Sequence, residues 1–248
     1  MKLPIALLAA AGALVLPVCP RAASMEIAPI LVELGPKAPS AVVAVRNNGT
    51  TPTRYQVTAM AWTEPAAGQT KLVPSEELAA YPPLFTLAAG EERKIRVGAT
   101  VPPGPDERAW RLFVEEMPSA VGAPLTGAQI QIRTRFAIPV FLAPVHPEPA
   151  GAVSLGVAGG TLQAVVRNAG NVHIRPSAIA VTLIGSKDEK LHQVEVAPAL
   201  VLPLSERTSP VEVPRGICGR VRSAMLVADL PNEKLRASLA LPDGACAP

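Results

Sequence analysis

Residues that usually carry chemistry are scarce in this chain. Aromatic residues make up 3% of the 248 positions, and there are only three histidines, at 146, 173 and 192. None of the histidines lies in a metal-ligand spacing. No GxSxG, no HExxH and no glycine-rich phosphate loop between strand and helix occurs. Glu115-Glu116 is a carboxylate pair, but neighbours on a strand point to opposite faces and cannot share a substrate. No enzyme is implied, and no cofactor. A dominant charge is missing too, with 23 Lys and Arg against 20 Asp and Glu and no basic block. That excludes the usual footprint of a nucleic-acid or anionic-lipid partner. Long helical stretches are also absent, because 28 prolines are spread along the chain. Such spacing suits many short strands joined by irregular turns. What remains is 49% hydrophobic and 17% charged, enough to bury a sizeable core.

The first two dozen residues differ from the rest. Lys2 gives a positive start, Pro4 to Val18 is almost unbroken apolar sequence, and Ala22-Ala23-Ser24 offers small residues for cleavage. Residues 1–24 are expected to be a secretory signal peptide, removed before Met25. The run is too short to span a bilayer comfortably, so no stable membrane insertion is expected. Leu16-Pro17-Val18-Cys19 is loosely like a lipobox, but Val18 is too bulky before a modified cysteine. Cys19 is therefore expected to leave with the leader. Removing Lys2 and Arg21 brings the basic residues to within one of the acidic ones.

Export fixes the redox context. The mature chain keeps Cys218 and Cys246, an even number in a compartment where disulfides persist. A metal site or redox pair would want nearby histidines or a CxxC spacing, so a structural disulfide is the favoured reading. On the simple loop model it would remove ~3–4 kcal/mol of unfolded-chain entropy.

Two segments repeat. Val42-Val43-Ala44-Val45-Arg46-Asn47-Asn48-Gly49 is matched by Leu162-Gln163-Ala164-Val165-Val166-Arg167-Asn168-Ala169-Gly170. In both, a strand-like run enters an Asn/Gly turn, and a second β-rich segment follows, Tyr55 to Trp62 and Ala178 to Ile184. The offset is about the length of one immunoglobulin-like domain. The expected fold is all-β: two tandem immunoglobulin-like β-sandwich domains after a cleaved signal peptide. Domain one runs 25–144, with strands at Ile27–Leu34, Ala41–Arg46, Tyr55–Thr63, Leu84–Leu87, Arg93–Val97, Ala109–Glu115 and Ile130–Leu142. Residues 145–149 form a proline-punctuated linker, and domain two runs 150–248. Its one short helix or turn is expected at Pro231-Asn232-Glu233-Lys234.

The segment from Ile130 to Val140 alternates. Ile130, Ile132, Thr134, Phe136, Ile138 and Val140 share one face; Gln131, Arg133, Arg135, Ala137 and Pro139 share the other. Periodicity alone allows a strand of the domain's own core. The setting points elsewhere: a Gly/Pro/Ala-rich stretch, Ser119 to Gln129, precedes it, and it is the last strand of its domain. Last strands often lie at an edge, where an unpaired backbone can recruit another chain.

Several motifs then resemble the periplasmic pilus chaperones of the PapD-like superfamily over nearly all of the mature sequence. Pro82-Pro83-Leu84-Phe85-Thr86-Leu87-Ala88-Ala89-Gly90, followed by Arg93-Lys94-Ile95-Arg96-Val97, looks like the family's fourth and fifth strands. Glu107 to Pro118 is similar to its signature on the sixth strand. The alternating strand falls at the donor strand, and Pro144 at the interdomain proline.

The resemblance implies a periplasmic chaperone that binds, folds and caps pilus subunits and hands them to an outer-membrane usher. A subunit lacking its last strand would be completed by the chaperone's own. Ile130, Ile132, Thr134, Phe136 and Ile138 would be the subunit-binding residues. Better-known members clamp the subunit's terminal carboxylate with an Arg and a Lys whose positions are Leu31 and Pro139 here. Arg96 and Arg111 are the candidate replacements. Ala143 stands where an Arg of the interdomain ion pair is usual. These departures place the sequence nearer the archaic and sigma-type branch. When free, an exposed apolar strand invites a self-capping dimer. A secreted two-domain adhesion or ligand-binding module has the same composition and would use loops at the sandwich ends. A second alternative is a chaperone-like pilus accessory protein that binds the usher or a tip adhesin but not the main subunit.

Overall fold

The computed structural model describes residues 25–64, 69–118 and 133–241. The expected signal peptide, Ile130, Ile132 and Cys246 lie outside the described residues. In the first half the strands are β1 (Met25–Ala28), β2 (Val32–Leu34), β3 (Ser40–Asn47), β4 (Thr53–Thr63) and β5 (Lys71–Pro74). They continue with β6 (Leu78–Tyr81), β7 (Leu84–Leu87), β8 (Glu92–Ala99), β9 (Arg108–Glu116) and β10 (Arg135–Leu142). The second half adds β11 (Gly151–Ala158), β12 (Thr161–Asn168), β13 (Ala178–Ile184), β14 (Lys190–Val196), β15 (Glu206–Val211), β16 (Ser223–Asp229) and β17 (Lys234–Ala240).

Each half is a two-sheet sandwich, so the fold is all-β with two immunoglobulin-like domains. In the first, the sheet β1-β3-β8-β6 faces the sheet β2-β10-β9-β4-β5, with β7 added beside β4. In the second, β11-β12-β15 faces β14-β13-β16-β17. Alternation explains the layering. Val43, Val45, Ile95, Val97, Leu112, Val114, Ile138 and Val140 each occupy every second position and meet in one core. Ala164, Val166, Val181, Leu183, Ala224 and Leu226 do the same in the second domain.

Two local expectations differ from the structure. Ile27–Leu34 is two strands, not one. β1 pairs with β3 in one sheet, while β2 pairs parallel with β10 in the other. Pro29 lies between them, where a missing N–H and a fixed φ suit a chain that changes sheets. The expected helix or turn at Pro231-Asn232-Glu233-Lys234 is the tight turn between β16 and β17, closed by the Leu230 N–H on the Glu233 carbonyl, and what was not expected is a 3-10 turn at Cys218–Arg220.

The Asn/Gly repeat has a structural reason. Asn47 and Asn168 end equivalent strands and both are fully buried. The Asn47 amide donates to the carbonyls of Thr51, Leu87 and Ala88, and its Oδ1 accepts the Gly49 N–H. The Asn168 amide donates to Val172 and Val201, and its Oδ1 accepts the Gly170 N–H. One side chain thus ties a turn to a distant segment of the backbone in each domain, the end of β7 in the first and the Ile174–Val201 bridge in the second. Gly170 also meets the linker: a Cβ there would stand 2.3 Å from the Glu148 carbonyl oxygen.

Candidate functional site: an open strand edge beside the interdomain seam

β10 is paired along its whole length on one side only. Antiparallel to β9, it runs in register from Arg135 opposite Glu115 to Leu142 opposite Arg108. On the other side β2 covers only Val140, Phe141 and Leu142. Among the described residues, no strand pairs with Arg135–Pro139 there. Which backbone groups face outward follows from two hydrogen bonds. The Glu116 N–H donates to the Thr134 carbonyl at 3.0 Å, so even-numbered residues face β9. The Ala143 N–H donates to the Leu34 carbonyl at 2.9 Å, so odd-numbered residues face away. The N–H and C=O of Arg135 and Ala137 therefore point out of the sheet.

Side chains divide along the strand. Ile138 is 2% exposed and belongs to the first domain's own core, and Phe136 packs partly against it. Thr134 is half-buried, with its N–H donating to Glu116 Oε2 at 3.2 Å. On the opposite face, the Arg135 guanidinium lies 3.8 Å from the Phe113 ring centroid and 3.5 Å from the Glu115 carboxylate.

The two candidate carboxylate anchors are not brought together. Arg96 is exposed on β8, in the sheet opposite β10, between Val42 and Tyr81. Arg111 is half-buried on β9, directly across from Pro139. Its guanidinium lies 3.6 Å from the Trp62 ring centroid. Burial pushes the Arg111 pKa below its usual value; the Glu64 carboxylate opposes that shift and Arg207 adds to it. Leu31, at the other expected clamp position, packs into an apolar seam with Trp62, Phe141 and Leu202.

That seam joins the domains, and of its polar residues only Glu107, which opens the sixth-strand signature, was marked in the sequence. Glu64 directly follows β4, with its side chain wholly buried, and is ion-paired to Arg207 on β15. The Ser205 hydroxyl donates to the Glu64 carbonyl at 2.9 Å. Glu107 accepts the His173 backbone N–H at 2.8 Å, and its carboxylate lies 2.9 Å from His173 Nδ1. The His173 ring stacks on Phe141 with centroids 4.0 Å apart. The Asn171 amide donates to the carbonyls of Pro105 and His146. These contacts cross between the domains, while position 143 carries an alanine. A cleft of about 530 Å³ opens beside them, lined by Trp62, Glu64, Trp110 and Leu202.

Cys218 is disulfide-bonded. Among the described residues no group of His, Cys, Asp or Glu is arranged to hold a metal, and no helix is long and apolar enough to cross a membrane.

Two sandwiches fastened at one seam and open along one strand edge define a two-domain immunoglobulin-like chaperone fold. The chain belongs to the pili and flagellar-assembly chaperone family, PapD N-terminal domain, whose model matches residues 24–148. Members of this family assist assembly, so the chain is not an enzyme. No curated protein matches it. Among solved structures, it is similar to a chain of the CsuC–CsuE chaperone–tip adhesion subunit pre-assembly complex from the archaic Csu pili of Acinetobacter baumannii. That match has 19% identity and a TM-score of 0.60, covering 87% of this chain and 98% of that one. The class 5 fimbriae chaperone CfaA matches at 17% identity and TM-score 0.56, covering 88% and 99%. A chain of the Salmonella enterica SafA pilin–SafB chaperone complex matches at 15% and 0.56, covering 87% and 96%. Identities this low speak for the fold.

Proposed function

We propose that the chain is a periplasmic chaperone that caps pilus subunits by lending them β10 and then passes them to an outer-membrane usher. The observation that carries the reading is the open edge at Arg135–Pro139, where outward amides and carbonyls await a second strand. Main-chain pairing supplies sequence-tolerant attraction, and alternate apolar side chains supply fit. Because Ile138 is spent on the domain's own core, the plugs fall to Ile130, Ile132, Thr134 and the exposed part of Phe136. Each fully buried Ile is worth ~1.5–3 kcal/mol, reduced by the cost of association.

Arg111 is the better of the two anchors for a terminal carboxylate. It shares a sheet with β10 and is held against Trp62, whereas Arg96 lies on the opposite sheet. A leader over residues 1–24 supports export, and a Cys218–Cys246 bridge fits an oxidising periplasm.

The test is capture from the source cell's periplasm with a tagged chain and its Ile132→Asp variant. Ile132 is preferred to Phe136 because an aspartate at 136 would also disturb the core. A small β-rich pilus subunit should co-purify with wild type and fall at least about tenfold with the variant, since a charge replaces a buried apolar plug. Equal capture by both folded chains would remove the donor strand from the account.

A further inference from the structure

We propose that Glu116 and Pro118 form a release point for the donor strand, the place where β10 stops being held by its own sheet. The inference rests on the strand-donation reading and concerns how the residues before Thr134 are kept for a partner.

The ladder between β9 and β10 ends in two steps. At the first, the Glu116 N–H still donates to the Thr134 carbonyl at 3.0 Å. The returning bond is different: the Thr134 N–H donates to the Glu116 side chain, at Oε2, over 3.2 Å. A regular antiparallel pair would use the Glu116 carbonyl there. At the second step the chain runs out of donors. The Met117 N–H turns the other way, to the Arg54 carbonyl on β4 at 2.8 Å. Alternation makes residue 118 the next to face the β10 side, and it is a proline with no N–H to give.

The surroundings of Glu116 show that its carboxylate is there for this bond. Its neighbours on the core face of β9, Trp110, Leu112 and Val114, are apolar and buried, and Tyr55 beside it on β4 is fully buried. Glu116 itself is 8% exposed. A carboxylate in that row costs stability that a valine would not, unless it makes a bond that valine cannot.

Ile138 shows what continued pairing would do. It lies on the ladder, and its side chain is taken by the domain's own core. Every second residue of a strand shares that face, so a ladder extended past Thr134 would turn Ile132 and Ile130 the same way. Ending it at Thr134 leaves them for the groove of a pilus subunit. Glu116-Met117-Pro118 is thus an end-of-ladder signal written into β9.

The test compares wild type with Glu116→Val, Pro118→Val and the double variant, which restores both a regular rung and the missing donor. In the free double variant, amide exchange at Thr134 and Ile132 should slow at least about tenfold, and the melting temperature should hold or rise, as an added rung requires. Capture of the pilus subunit should nonetheless fall about tenfold, the scale of one or two backbone hydrogen bonds. Glu116→Gln, whose amide oxygen can still accept the Thr134 N–H, should recover most of the capture lost in Glu116→Val. Full capture by the double variant, or no gain in protection at Ile132, would overturn the release point. A double variant that melts lower and captures less would do the same, by assigning both residues to stability alone. Wild type capturing no subunit would instead remove the strand-donation reading itself.

Discussion

Replacing Arg207 by alanine should destabilise the protein by ~3 kcal/mol or more, the range seen when one partner of a buried ion pair is removed. Glu64 is the reason. Its side chain has no exposure, its Oε1 is paired with Arg207, and the Thr70 hydroxyl reaches Oε1 only at 3.5 Å. Without Arg207 the carboxylate is left buried at the seam, with the Arg111 charge still acting on it. The pair also crosses from one domain to the other, so its loss should uncouple them. Differential scanning calorimetry should resolve two transitions where wild type gives one. A Glu64→Gln, Arg207→Ala double variant separates charge from packing. It should recover most of the loss, because no uncompensated charge then remains in the seam. A double variant as unstable as the single one would assign the effect to lost packing instead.

A second large effect is expected from Asn168→Ala, and a matching one from Asn47→Ala. The Asn168 side chain satisfies two carbonyls and one N–H while fully buried. Alanine leaves all three to find water or remain unpaired, at ~1–3 kcal/mol each before relaxation. A net loss of about 3 kcal/mol is expected, which is large against the 5–15 kcal/mol that holds a typical domain. Urea unfolding of the intact chain measures it. Each variant should lower the midpoint of the chain's unfolding transition, and a change below about 1 kcal/mol would mean that these asparagines are not the tie they are described as.

These two predictions mark how much of the molecule could be read from its sequence. The Asn/Gly repeat was visible because the residues that end the strand and make the turn are neighbours in the chain. The same holds for β10, whose period of two runs unbroken into Val140. Periodicity could not say whether Ile138 faces its own core or a partner's, because both surfaces are equally apolar; only the opposing sheet decides that. The division of Ile27–Leu34 between two sheets depends on which strands lie beside it, and one of those, β10, is far along the chain.

The interdomain seam was the least legible part. Glu64 and Arg207 are 143 residues apart, and Glu107 and His173 are 66 apart. Taken singly, each reads as an ordinary solvated charge. Of the two candidate anchors, sequence placed both on family-like strands with equal weight. Sheet membership separates them, since β8 and β9 lie in opposite layers.

The most direct test of strand donation is amide hydrogen exchange along β10, in the free chain and with the captured subunit bound. In the free chain the amides of Phe136 and Ile138, which face β9, should already exchange slowly, while those of Arg135 and Ala137 exchange fast. Binding should slow Arg135 and Ala137 by at least about tenfold, as a newly formed ladder requires, and leave their even-numbered neighbours little changed. Protection that appears in the second domain or the loops, with Arg135 and Ala137 still fast, would contradict the account.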